Sequence, residues 1–118
     1  MNVKSVKAKG RNLQNFVRDM LREAFPKLHE EDIKSQTMGM TGQDIVLSPS
    51  AQLKIPYAIE CKNVEKLQFW KATRQAKENI KDNQHPVVVV KKNRTEPWAC
   101  VPLDHFIDLI SEKNNDNT

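Results

Sequence analysis

Four consecutive valines, Val87–Val90, restrict the fold of this chain more than any other feature of its sequence. Valine is branched at Cβ and therefore favours extended backbone over helix. In a strand, successive side chains point to opposite faces, so an unbroken apolar run places valines on both faces of a sheet. Such a strand has to be covered on both sides, typically by helices. The run therefore predicts an α/β fold with a buried strand at this position.

Helical patterns occur on both sides of the valine run. From Asn12 to Pro26 the apolar residues recur at spacings of three and four, which predicts an amphipathic first helix. A second helix is predicted over 65–82 by the same spacing. A third follows Asp104, which we expect to cap it. The apolar stripe of the first helix comprises Leu13, Phe16, Val17, Met20, Leu21 and Ala24.

The remaining segments favour strands. Residues 31–38 are a weak strand candidate, and 44–48 and 55–62 are stronger ones that we expect to pair as a hairpin or meander. A last strand is predicted over 98–101. The predicted order is α-β-β-β-α-β-β-α, and strands alternating with helices indicate a mixed central β-sheet flanked by helices.

The 118 residues suit one domain. We predict a flexible basic arm over 1–9, a single domain over 10–111 and a polar tail over 112–118. No run of 18 apolar residues is present, which excludes a membrane-spanning helix. The N-terminus also lacks the apolar stretch of a signal peptide. We therefore expect a cytoplasmic protein with no membrane partner.

Cysteine and tryptophan carry no functional signal in this sequence. Cys61 and Cys100 lack the spacing of a zinc site or a disulfide framework, and both lie in apolar strand-like runs. We expect both to be buried thiols that behave as small apolar side chains. Trp70 and Trp98 lie in apolar spacing, so we expect them to fill the core rather than stack on bases.

The formal net charge is +4, and the basic residues are clustered. One cluster includes Lys7, Lys9 and Arg11, a second includes Lys71 and Arg74, and a third spans 91–94. Clusters of this kind suit contact with phosphates. They are equally compatible with three solvated faces.

Charged residues occupy one face of the predicted strand that ends at Lys62. Tyr57, Ile59 and Cys61 point one way, whereas Glu60 and Lys62 point the other. A carboxylate and an ammonium at i and i+2 require an explanation, because a strand flanked by helices is mostly apolar. The structural alternative is a surface ion pair on an edge strand, which contributes only ~0–1 kcal/mol.

Asp44 opens the neighbouring predicted strand, directly after the glycine-containing turn 38–42. If the two strands pair, Asp44 and Glu60 can approach each other. Two carboxylates and a main-chain carbonyl, for which Cys61 is the natural candidate, form a hard-oxygen site suited to Mg²⁺ or Mn²⁺. Lys62 could then orient a water or stabilise charge on a phosphate. A competing D-x-K at 32–34 lacks a preceding apolar strand.

The segment Gly42–Leu47, taken together with Ile59–Lys62, resembles the PD-(D/E)xK nuclease superfamily. The order α-β-β-β-α-β is similar to the core of that superfamily. Lys9-Gly10 and Pro86–Lys91 bring the likeness closest to the small Holliday-junction resolvases of archaea and phages. The resemblance implies a restriction-endonuclease-like core and Mg²⁺-dependent hydrolysis of DNA phosphodiester bonds, with Mn²⁺ as a substitute. It also implies branched, four-way DNA as the substrate and a C2 homodimer, because two symmetry-related strands must be cut.

By the same resemblance, Asp44 and Glu60 are metal ligands and Lys62 is the catalytic lysine. Gln14 departs from the pattern, because these resolvases usually have a glutamate four residues after the glycine of the first helix. Its amide oxygen can still coordinate a metal or accept a hydrogen bond from a metal-bound water, but it adds no negative charge. Gln75 resembles a glutamine that lies near the site in several branches of the superfamily.

The resemblance also suggests contacts to the substrate. Thr41 takes the place of a loop serine of the resolvases. Lys71, Arg74 and the basic arm with Lys7, Lys9 and Arg11 would bind flanking phosphates, and such binding weakens steeply as salt increases.

Two further hypotheses remain open at this point. The first is a non-catalytic DNA-binding protein with a weakened nuclease site, which Gln14 favours and the intact Asp44, Glu60 and Lys62 disfavour. The second is a nuclease for linear or nicked duplex DNA, which would share the chemistry and differ in the binding surface.

Overall fold

The computed structural model describes residues 3–111 as an α/β protein. Its helices are α1 (Val3–Ala24), α2 (Pro49–Lys54), α3 (Phe69–Glu78) and α4 (Leu103–Ile110). Its strands are β1 (Ile33–Ser35), β2 (Ile45–Leu47), β3 (Tyr57–Asn63), β4 (His85–Lys91) and β5 (Trp98–Cys100). A single turn of 3-10 helix, Glu30–Asp32, precedes β1.

The strands form two small sheets. β4 is the middle strand of the larger one, parallel to β3 and antiparallel to β5. β1 and β2 form a two-stranded antiparallel sheet. A backbone hydrogen bond of 3.1 Å from Asp44 N to Ile59 O links the smaller sheet to β3. The sheets therefore meet at Asp44.

The valine run is confirmed as a strand covered on both faces. On one face Val87 and Val89 pack with Ile59, Cys61 and Leu13 of α1. On the other face Val88 packs against Ala72 and Ala76 of α3. The small side chains of these two alanines let α3 lie close to the sheet. Full burial of a valine contributes roughly 1.5–3 kcal/mol, so this layer is a major source of stability.

The predicted helices and strands are all present, but the order is not as predicted, because the structure adds α2 between β2 and β3. The strands also form two sheets rather than one mixed central sheet, and two further corrections concern bounds and pairing. The first helix begins at Val3, so residues 3–9 are helical and not the flexible arm that we expected. The strands predicted over 44–48 and 55–62 do not form a hairpin, because β2 pairs with β1 and β3 pairs with β4. Ser48 explains this outcome: its Oγ accepts a 3.1 Å hydrogen bond from Ala51 N and starts α2 between the two strands.

Three side-chain expectations are also wrong. Trp70 and Trp98 are 77% and 64% exposed, so neither fills the core. α4 begins after Pro102, and Asp104 lies inside its first turn rather than at the cap. Cys61 is buried as expected, whereas Cys100 is only partly buried.

The predicted tail, 112–118, and the first two residues of the predicted arm lie outside the described residues. Across 3–111, no helix combines the length and apolar character needed to cross a membrane.

Candidate active site

Asp44 is held at the junction of the two sheets by main-chain contacts. Its N–H donates to Ile59 O at 3.1 Å, and its Oδ2 accepts a 2.7 Å hydrogen bond from Cys61 N. The Asp44 carboxylate therefore accepts the hydrogen bond that a main-chain carbonyl of a longer β2 would have accepted from β3. The sequence prediction required this approach of Asp44 to β3, and the structure shows it without the predicted hairpin.

Glu60 and Lys62 lie on the α3 face of β3, as the period of two predicted. They stand opposite Val88 and Val90 in the parallel register. The Glu60 side chain is only 9% exposed, and its Oε2 lies 3.5 Å from Lys62 Nζ. This ion pair is therefore not on an open surface, and the exposed-pair alternative considered above does not describe it.

The carboxyls of Asp44 and Glu60 are close enough to interact directly. Burial, together with the nearby charge of Asp44, raises the pKa of Glu60 to about 7. Burial also raises the pKa of Asp44, although the hydrogen bond from Cys61 N and the charge of Lys62 oppose this rise. Two acidic groups with raised pKa values share one partly dry site, a combination that is common in active sites. They can be ionised together if a cation binds between them.

Gln14 of α1 is the third polar side chain at this point. It is buried, and it favours the ionised form of Asp44, as an amide N–H donor does. Its Oε1 is buried without a hydrogen-bond partner. Buried polar atoms normally have a hydrogen-bond partner. A bound ligand or an ordered water could supply the partner that this oxygen lacks.

The Cys61 carbonyl faces the same edge of β3 as Asp44. The N–H and C=O of one residue leave a strand on the same side, and Cys61 N donates to Asp44. Two carboxylates, one amide oxygen and one main-chain carbonyl fit a hard cation such as Mg²⁺ or Mn²⁺. Within residues 3–111, no three His, Cys, Asp or Glu side chains gather into a group that could hold a metal. The neutral oxygens of Gln14 and Cys61 would have to complete the donor set.

Gln75 and Thr41 lie at different distances from this centre. Gln75 shares the face of α3 with Ala72 and Ala76, the face that covers the Glu60 side of the sheet. Its Oε1 is also buried without a partner. Thr41 is exposed in the turn before Asp44, and its carbonyl accepts a 3.4 Å hydrogen bond from Gln36 Nε2. The structure shows no contact of Thr41 with the carboxyl pair.

Two segments that carry basic residues are distant in sequence and lie near the C-terminal end of β3. Asn63 Nδ2 donates to Lys9 O at 3.2 Å, which brings the N-terminal half of α1 to this end. The β4–β5 turn lies there too, because Val64 N donates to Lys91 O and Asn93 N donates to Glu65 Oε2. We call this set the basic rim. Its members are Lys7, Lys9, Arg11, Lys91, Lys92 and Arg94.

Lys71 and Arg74 are exposed on the outer side of α3. They flank the site from the opposite face of the sheet to α1. All six side chains predicted to contact DNA are thus at least partly accessible, and Lys7, Arg11, Thr41, Lys71 and Arg74 are exposed.

Sequence reasoning missed two polar residues that frame the site. Asn63 ends β3 with its Oδ1 buried and unpartnered. Gln43 is buried beside Asp44, and its Nε2 donates at 2.7 Å to both Asn79 O and Gln84 Oε1. One sequence feature could have indicated both residues: each is a side-chain amide directly adjacent in sequence to a predicted site residue.

Comparison with protein-family models, with curated protein sequences and with solved structures finds no match to this chain.

Proposed function

We propose that this chain is a metal-dependent endonuclease that hydrolyses phosphodiester bonds in DNA. The observation that carries the proposal is the carboxyl pair of half-buried Asp44 and buried Glu60, with the Lys62 ammonium 3.5 Å from Glu60. Two ionised carboxylates in a partly buried site cost free energy unless a cation or a proton neutralises their charge. The basic rim beside it can supply attraction for a phosphate backbone.

Each residue of the site has a definite task in this reaction. Asp44, Glu60, the Gln14 amide oxygen and the Cys61 carbonyl would hold Mg²⁺, and Mn²⁺ would substitute. When bound, such an ion would polarise the scissile phosphate and would favour deprotonation of an attacking water. Lys62 stabilises negative charge on the phosphate or orients the attacking water. The Cys61 N–H keeps Asp44 aimed at the site.

The restriction-endonuclease-like core and the branched substrate are parts of the same proposal. The three-stranded mixed sheet, with α1 on one face and α3 on the other, is compatible with such a core. A four-way junction presents phosphate backbones in several directions. The separation of basic residues between the rim and the outer side of α3 suits a substrate of that shape.

Gln14 favours a second candidate, a DNA-binding protein without nuclease activity. A neutral amide in place of a carboxylate lowers the charge available to hold the ion. The buried, partnerless Oε1 of Gln14 supports metal binding, because a bound cation would satisfy an oxygen whose isolation costs free energy.

The test is cleavage of a four-way junction, linear duplex and single strands in Mg²⁺, Mn²⁺ or EDTA. We expect cuts at the junction in both metals and none in EDTA. Lys62→Ala should slow the reaction on the order of 10²-fold or more, as removal of one charge-stabilising donor does. The matched control is Lys34→Ala, since Lys34 also lies 3.5 Å from a carboxylate, that of Glu31, but away from the site.

The outcomes separate the candidates. A wild-type protein that binds the junction and cuts no substrate in either metal would be the non-catalytic DNA-binding protein. Equal cutting of duplex and junction would select a general nuclease. A Lys62→Ala protein as fast as wild type would show that this lysine has no part in the chemistry.

A further inference from the structure

Trp70 lies on the first turn of α3 with 77% of its surface exposed, in contrast to its predicted place in the core. Tryptophan is highly buried on average, because its ring carries a large apolar area. The ring of Phe69 packs edge-to-face with the indole, with 5.0 Å between the centroids and 75° between the planes. The Thr73 hydroxyl donates to Trp70 O at 2.8 Å. α3 therefore presents a flat aromatic surface that residues 3–111 leave mostly open.

Trp70 also lines a groove between α3 and the β4–β5 half of the larger sheet. Its volume is about 450 Å³, which falls within the range of about 300–1,000 Å³ that is typical of small-ligand pockets. The lining is mainly apolar, and three polar side chains contribute to it: Thr73, Lys77 and Cys100. An apolar recess with a few polar groups suits a planar ring that carries hydrogen-bonding groups of its own.

The segment that carries Trp70 is basic on its solvent side. Residues 66–77 contain no aspartate or glutamate. Their four basic side chains are exposed, and none of them forms an ion pair within residues 3–111. Arg74 and Lys77 follow Trp70 by four and seven residues, so all three lie on one side of the helix. An anionic ligand at the indole would therefore meet cations beside it. The four basic residues are Lys66, Lys71, Arg74 and Lys77.

We infer that this groove, which we call the Trp70 groove, binds an unpaired base of a DNA strand. The base stacks on the indole, and Arg74 and Lys77 neutralise the phosphates next to it. Stacking needs a free face of the base, and in a duplex both faces of a base are covered by neighbouring base pairs. The groove therefore selects unpaired nucleotides, whereas the basic rim attracts any phosphate backbone. The inference rests on the proposed function in that the ligand is DNA.

The combination of one indole with several cations favours a nucleic acid over other anionic partners. A helix that binds a lipid surface carries a continuous apolar face, whereas Trp70 is the one apolar residue among the exposed positions of α3. An acidic peptide would neutralise the cations, but its charged residues supply no planar ring. In a DNA strand every unit carries both a base and a phosphate, so it matches both features at once.

The Trp70 groove and the carboxyl pair lie toward opposite edges of the larger sheet. The groove is lined by β4 and β5, whereas Asp44 is bonded to Ile59 and Cys61 of β3. β5 lies two strand spacings from β3, roughly 10 Å, so one DNA molecule can reach both sites. The preferred substrate is therefore a duplex with unpaired nucleotides beside it, such as an open branch point, rather than a fully paired junction.

The test is binding of oligothymidylate to the full chain in EDTA, measured by fluorescence anisotropy at one salt concentration. We expect Trp70→Leu to raise the dissociation constant about 5- to 150-fold, because it removes the aromatic surface on which a base stacks. The matched control is Trp98→Leu, since Trp98 is also mostly exposed and lies outside the groove; it should change the constant by less than about 2-fold. A strand of the same length without bases should bind wild type and Trp70→Leu alike.

Cys100 gives a second readout, because it lines the groove and is only partly buried, whereas Cys61 is buried. Bound oligothymidylate should slow alkylation of Cys100 about 10-fold when its free concentration is ten times the dissociation constant. The abasic strand at the same saturation should leave Cys100 reactive. Peptide mass spectrometry follows the two cysteines separately, and Cys61 is the internal reference. This measurement needs no variant, so it decides the question even if Trp70→Leu folds poorly.

Wild-type affinity of Trp70→Leu for oligothymidylate would overturn the inference. So would an equal loss of affinity for the abasic strand, because the groove would then recognise charge alone. Alkylation of Cys100 that slows with protein concentration in the absence of DNA would mean that another copy covers the groove, and it would also contradict the inference. A chain that binds bases here but cuts no DNA in Mg²⁺ would keep this inference and refute the proposed nuclease. Cleavage by a chain whose affinity is unchanged in Trp70→Leu would do the reverse.

Discussion

The two carboxyl groups at the edge of β3 illustrate how burial prepares a residue for a ligand. Glu60 is nearly inaccessible, and the environment that excludes water also raises its pKa to about 7 from the usual 4.5. The neighbouring Lys62 reduces this rise but does not cancel it. At neutral pH the metal-free site therefore tends to retain a proton, which a cation would displace.

This arrangement predicts how stability depends on pH in the absence of metal. The folded state binds the Glu60 proton more tightly than the unfolded state, so the free energy of unfolding decreases as pH rises from 4.5 to about 7. Asp44, whose pKa is also raised by burial, acts in the same direction. Glu60→Gln should abolish most of this loss and unfold at a higher free energy than wild type at pH 8, by about 1–3 kcal/mol.

The measurement is denaturant unfolding of both proteins in EDTA at several pH values. The difference between the two curves isolates Glu60 from other titrating groups. Added Mg²⁺ should stabilise wild type most above pH 7 and the variant little, because the variant lacks one carboxylate. Parallel pH profiles for the two proteins would contradict the assignment of the raised pKa to Glu60.

The turn before β2 leads the chain directly into Asp44. Gly39 and Gly42 adopt φ values of 86° and 105°, which side chains other than glycine rarely allow. They let the chain reverse between β1 and Asp44. Gln43 then anchors the end of the turn to α3 through its bond to Asn79 O, and Asn79 Nδ2 donates back to Gly42 O at 3.3 Å. The position of Asp44 thus depends on α3 as well as on β3.

We predict that Gln43→Ala lowers the free energy of unfolding by about 1–3 kcal/mol, since it leaves buried hydrogen-bonding groups without a partner. It should also weaken Mg²⁺ binding, because Asp44 follows directly in the chain. Gln68→Ala is the control: Gln68 is exposed, makes no capping hydrogen bond and should change stability by less than about 0.5 kcal/mol. Denaturant unfolding and Mg²⁺ titration measure the two effects, and equal values for the two variants would contradict the role given to Gln43.

In the molecule as a whole, charge and apolar surface are separated along the sheet. The basic rim surrounds the C-terminal end of β3, and the exposed α4 lies at its beginning. α1 contributes to this separation, because from Lys9 at the rim to its end at Ala24 it extends about 22 Å away from the rim. One end of the domain therefore carries clustered basic residues, and the other carries exposed apolar side chains.

This separation predicts which basic side chains determine how strongly DNA binding depends on salt concentration. Arg11→Gln and Lys92→Gln remove charges of the rim, and each should reduce the slope of log affinity against log salt by about 0.9 for every phosphate that the variant no longer neutralises. Lys27→Gln is the control, because exposed Lys27 follows the opposite end of α1. Fluorescence anisotropy with a labelled four-way junction over a salt series gives the slopes. A change for Lys27→Gln as large as for the rim variants would mean that the rim is not the binding surface.

The sequence by itself determined the type of most secondary-structure elements. It also determined which charged side chains share one face of β3. The valine run and the stripe of α1 express short-range periodicity, and the same period of two placed Glu60 and Lys62 on one face of β3. These properties depend on neighbours within one turn of helix or two residues of strand, so they can be predicted locally. The bounds of the elements were less predictable, as the early start of α1 at Val3 shows.

Only the tertiary structure decided how the elements meet. The predicted hairpin would have brought Asp44 to Glu60 through strand pairing, whereas the structure inserts α2 and brings Asp44 there by bonds to Ile59 and Cys61. The exposure of Trp98 could not be predicted from the sequence either. Apolar spacing indicates that burial of a side chain would be favourable, but it does not show whether another part of the chain packs over it. Pairing and cover depend on residues far apart in sequence, and their free energy arises when those residues come into contact.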